Sequence, residues 1–142
     1  MENIEELKEI EIEKLTDEVS DIAEIEKLIL DGANTKIPYS INYPIYDVEN
    51  KQISFKQMSI KLQPVNSADW NNAMANFKDN NRAIKIVGKS LYTKDEQQFP
   101  MKLIQKMPSG VITTLYKEIA KISGVELNSE EDKELIKDLM GF

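Results

Sequence analysis

Carboxylates are the reactive groups this chain holds in greatest number: 25 Asp and Glu stand against 18 Lys and Arg. Close pairs occur at Glu5/Glu9, Asp95/Glu96 and Glu130/Glu131. Acid–base work by two carboxylates needs them in different surroundings, one desolvated enough to keep its proton. All three pairs instead fall in charge-rich, solvated stretches. A calcium loop would need alternating oxygen ligands around a central glycine and a closing Glu, a frame that Asp95-Glu96-Gln97-Gln98 lacks. Gly88-Lys89-Ser90 repeats the end of a phosphate-binding loop, but Ala83 stands where the upstream glycine belongs, so the match fails. The chain has no Cys and no His. Disulfides, thiolate or imidazole metal sites and Ser-His or Cys-His pairs are thereby excluded. The expectation is a protein without catalytic residues, metal or cofactor.

Charge narrows the partners. Of the formal net charge of −7, residues 1–31 hold 12 acidic and 3 basic side chains, and the remaining 111 residues are close to neutral. Binding nucleic acid needs a basic face that displaces counterions. Arg82 is the only arginine, which leaves little means of bidentate phosphate or guanine recognition. Nucleic acid is not an expected partner. No basic, apolar leader is visible and no run approaches 18 apolar residues, so neither a signal peptide nor a membrane partner is expected.

These residues must be carried by elements. Stepping about 100° per residue from Ile4 collects Ile4, Leu7, Ile12, Leu15, Val19, Ile22, Ile25 and Ile29 in one apolar stripe about 140° wide, with most acids outside it. This predicts an acidic amphipathic helix or arm over 1–31, continuous or broken near Thr16-Asp17, stopped by Gly32. It either packs on its own body or engages a partner or another copy. The compact body is 32–142. Ile37, Tyr39, Ile41, Tyr43 and Ile45 alternate, and Pro38 and Pro44 push that strand to an edge. Turn chemistry at Asp47–Lys51 leads to a second strand, making a hairpin over 37–62. The inward parity shifts between Phe55 and Met58, which a β-bulge near Lys56-Gln57 would absorb.

Helices are expected at about 67–78, 82–91, 100–106, 109–123 and 130–140. The first is capped by Asn66 or Ser67 and shows Trp70, Ala73, Met74 and Phe77 on one face. The second is ambiguous, since Ile84 and Ile86 also suit a strand. Tyr92–Gln98 reads as a polar loop, and Ser129–Asp132 as a capping box opening the last helix. The fourth is the best punctuated: Pro108 can open it, Leu115, Tyr116, Ile119 and Ile122 give its apolar face, and Gly124-Val125 suits a left-handed cap. The fold class is α+β, a single bent antiparallel hairpin with five or six helices. The alternative is a mainly α domain with an extended arm.

Two blocks carry a resemblance. FPMKLIQKMPSGVITTLYKEIAKISGV (99–125) joins a proline-glycine turn, an amphipathic helix and a closing Ile-Ser-Gly. ISFKQMSIKLQPVNSADWNNAM (53–74) joins a strand, a proline and a Trp-bearing helix. Together they resemble the tail assembly chaperones of long-tailed (siphovirus-type) phages and prophages of Gram-positive bacteria. With the segment between them they span roughly half the chain; the acidic N-terminus has no counterpart. The resemblance implies a non-enzymatic protein of the bacterial host's cytoplasm. It would keep the phage tape measure protein soluble and help recruit tail tube subunits. The alternative is a structural tail or head-completion component retained in the virion. The residues offered for binding a partner are Leu7, Leu15, Val19 and Ile22 on the arm, and Trp70 and Phe77 on the body; a lone Trp on an apolar helix face, as Trp70 is, reads first as core and only otherwise as lining a groove for a partner helix.

Overall fold

Asp21 sets the start of the first helix: its carbonyl accepts the Ile25 N–H at 2.9 Å, and Glu24 sits in the first turn, the arrangement of a helix N-cap. In the computed structural model, which describes residues 18–78 and 80–127, this helix α1 is Ile22–Asn34. Glu18–Ser20 lie outside any helix, so the expected helix is not continuous through the arm. Gly32 does not end it either. A helical glycine costs only about 1 kcal/mol against Ala, and the run continues two residues further. No side chain of α1 is buried. Leu7, Leu15 and the helix expected at 130–140, with its Ser129–Asp132 box, lie outside the described residues. The chain forms two compact units, Met1–Gly32 and Ala33–Phe142.

The second unit opens on β1 (Ile37–Asp47) and β2 (Gln52–Leu62), antiparallel with an unbroken register from Ile37↔Leu62 to Asp47↔Gln52. The expected bulge is absent. Uninterrupted pairing puts Tyr39, Ile41 and Tyr43 on one face with Ile60 and Met58, and puts Ile53 and Phe55 on the other, opposite Tyr46 and Pro44. The parity change in the sequence is therefore a change of face, not a slip of register. The turn is held by Asp47. Its carboxylate accepts the Glu49 N–H at 3.0 Å and the Asn50 side-chain amide at 2.8 Å, while Lys51 adopts φ 52°.

Asn66 Oδ1 accepts the Asp69 N–H at 2.8 Å and caps α2 (Ser67–Asn76). The ambiguous stretch is a helix, α3 (Asn80–Ser90), because Ala83, Ile86, Val87 and Ser90 fall on one fully buried face. The stretch that follows is not wholly a loop. β3 (Leu91–Thr93) pairs with Ile60–Leu62, making a three-stranded antiparallel sheet in the order β1-β2-β3. Short α4 (Met101–Ile104) and long α5 (Ser109–Ile122) complete an α+β fold with five helices among the described residues. Pro108 is the N-cap of α5 and not its first helical residue; its carbonyl accepts the Val111 and Ile112 N–H groups. Gly124 ends α5 at φ +74°, with Val125 N–H bonded to Ala120 O at 2.8 Å and Gly124 N–H to Lys121 O at 3.1 Å. Those two bonds make a Schellman cap.

The core lies where α3 and α5 meet the paired ends of the strands. Leu62, Ile86, Leu91, Ile104, Leu115 and Tyr116 are among its fully enclosed side chains. Ser90 is enclosed with them: its hydroxyl donates to Gln63 O at 2.7 Å while Gln63 N–H donates to Ser90 O at 2.9 Å. The serine that looked like the end of a phosphate loop is thus a strut between β2 and α3.

Candidate functional site

The residues singled out by sequence separate. Val19 precedes α1 and Ile22 begins it, 77% exposed. Ile22, Ile25 and Ile29 follow at spacings of three and four, so α1 carries an apolar stripe that is exposed at Ile22 and Ile29 and half-buried at Ile25. Trp70 and Phe77 do not share a surface. Trp70 is buried in the core, its ring 5.8 Å from that of Tyr116 and nearly parallel to it. Phe77 is the C-cap residue of α2 and stays half-buried. The Arg82 Nε donates to its carbonyl at 2.6 Å and Lys85 Nζ stands 5.5 Å from its ring centroid. With Ile84, Met101 and Gln105, Phe77 lines an open groove of about 350 Å³ between α3 and α4.

A further apolar surface of the second unit was not expected from sequence. β3 covers only the last three residues of β2, so from Gln52 to Ser59 the hairpin is two strands wide. On one face of that extension Tyr46 lies directly opposite Ile53, and Pro44 directly opposite Phe55. Tyr46, Ile53 and Phe55 are each 60–63% exposed, and Val48 in the turn 77%. Next to them, Pro44, Phe55, Ile41, Val111 and Pro108 line a second groove of about 320 Å³, between the hairpin and the start of α5. Adjacent cross-strand apolar pairs left in water form one patch, and such patches mark interaction sites. The alternation of apolar residues in β1 and β2 was the available signal. Treating every apolar residue of both strands as inward requires a bulge, whereas pairing β2 to β1 through a four-residue turn places Ile53 and Phe55 opposite the core face.

Among the described residues no group of three His, Cys, Asp or Glu side chains could hold a metal ion, and no helix is long and apolar enough to cross a membrane. Asp95 and Glu96 sit exposed in the turn after β3, where Glu96 reaches Lys61 at 3.8 Å. Asp47 and Tyr39 depart from their ordinary range. Asp47 is held low, chiefly by the Asn50 amide and N–H. Tyr39 is raised by burial and then by the nearby Glu118 carboxylate. Both shifts follow from structural contacts. No family model matches the chain, and neither a curated protein nor a solved structure matches it.

Proposed function

We propose that this chain is a non-enzymatic binding protein that shields a long, apolar helical partner, in the manner of a phage tail assembly chaperone holding a tape measure protein. One observation carries the reading: the contiguous patch Pro44, Tyr46, Ile53 and Phe55 on a hairpin extension, with an apolar groove beside it. Isolated two-stranded extensions are marginal in water, and leaving large side chains exposed on one forgoes burial worth about 1.5–3 kcal/mol each. A partner helix laid along the patch and groove would recover part of that burial. The strongly acidic arm adds net negative charge that favours solution over non-specific aggregation while such surface is open. Recruitment of tail tube subunits and residence in the bacterial cytoplasm belong to the same proposal, on the strength of the sequence blocks at 53–74 and 99–125.

The test is co-expression with the tape measure protein of the same tail module. That protein is expected to move from the pellet to the supernatant and to co-purify with the chain. Failure of the intact chain to bind or solubilise it would overturn the proposal. The second reading, a component retained in the virion, is favoured by the same extension, since a projecting arm also suits permanent assembly contacts. Mass spectrometry of purified virions separates the two. A chaperone is missing from the particle and a structural subunit is present.

A further inference from the structure

The α1 stripe and the Phe77 groove are each apolar and of opposite charge. Glu26 stands beside Ile22, Ile25 and Ile29, Glu18 and Asp21 lie just before the helix, and Lys27 is the one base of α1. Glu26, four residues beyond Ile22, falls within the stripe itself. The groove is floored by Phe77, Ile84 and Met101 and carries Lys85 in its wall. Arg82, Lys85 and Lys89 recur at spacings of three and four along one side of α3, and Lys102 and Lys106 adjoin the lining residues Met101 and Gln105. Gly88 lets the floor form: a Cβ there would come within 2.5 Å of the Met101 methyl, which lies against α3. An apolar strip edged with carboxylates and an apolar groove edged with amines are complementary in both shape class and sign.

We infer that α1 of a second copy of this chain occupies the Phe77 groove. The stripe residues Ile22, Ile25 and Ile29 lie on Phe77, Ile84 and Met101, and Glu26 meets Lys85. Each copy has one helix to give and one groove to fill, so a mutual exchange uses both and closes at a two-fold dimer. The inference goes beyond the client-binding proposal. It concerns different residues from the hairpin patch and holds whatever the client is.

Charge exchange tests it in the full chain. One variant carries Glu18→Lys and Glu26→Lys, leaving both partner surfaces basic; the other carries Lys85→Glu and Lys89→Glu, leaving both acidic. Sedimentation velocity is expected to show a dimer for the unaltered chain at low salt. Its dissociation constant should rise at least about tenfold at about 1 M salt, where screening shortens to roughly 3 Å. Each variant alone should be a monomer, and an equimolar mixture of the two should recover a dimer, because each helix then faces a groove of opposite sign. All four residues are solvent-accessible, and circular dichroism checks that both variants keep the helical content of the parent. A monomeric parent, variants that remain dimers, or a mixture that remains monomeric would each overturn the inference. A monomer whose Lys85 is nevertheless shielded from amine labelling would mean that the chain's own helix fills the groove, and would overturn it too.

Discussion

Gly124 occupies a backbone position that few other residues tolerate. At φ +74° a Cβ suffers from its own backbone, although open space surrounds it. Gly124→Val is therefore expected to cost about 1–2 kcal/mol through conformation alone. Urea unfolding checks this, and an unchanged midpoint would contradict it. Asp47 offers a second test at this scale. Asn50, through its side-chain amide and then its N–H, lowers the folded carboxyl below its ordinary value, so the folded state binds that proton less readily than the unfolded chain. The contribution is full above the unfolded range, near pH 4, and is lost as pH falls through the lower folded value. Between about pH 5 and pH 3 the unaltered chain should lose more stability than Asp47→Ala, read as the change in urea midpoint. Equal losses would show that the turn does not rest on this carboxylate.

Among the elements, burial divides those that hold the fold from those that do not. Leu115, fully enclosed on α5, should cost about 2–5 kcal/mol when cut to Ala, from lost transfer energy and the cavity left behind. Leu103 on α4 is 52% exposed, and Leu103→Ala should stay within about 0.5 kcal/mol. Thermal unfolding of the two variants measures the contrast. How far each element was legible follows from the range of its determinants. For α5 they are local: a proline before it, an apolar face at helical spacing and a glycine after it. β3 is three residues long and exists because Leu91 and Tyr92 meet partners about thirty positions earlier, a contact that local turn chemistry around Lys94-Asp95 conceals. The hairpin was legible as two strands. Its register was not, because an apolar residue in a strand was taken to face inward, and Ile53 and Phe55 face out. Trp70, on the apolar face of α2, is enclosed against Tyr116 of α5, while Phe77 at the end of the same helix stays half-buried.

At the scale of the whole molecule, the described residues leave apolar surface open at the α1 stripe, the Phe77 groove and the hairpin patch. We propose self-association for the first two, which differ in charge, and client binding for the hairpin patch. The decisive measurement replaces Ile53 and Phe55 by Lys and asks how much co-expressed tape measure protein stays in the supernatant. Both side chains are more than 60% exposed, so the variant should unfold at the same temperature as the parent. The client should then return to the pellet and no longer co-purify, while the parent chain keeps it soluble. A client held in solution equally well by the folded Ile53→Lys, Phe55→Lys variant would contradict the account.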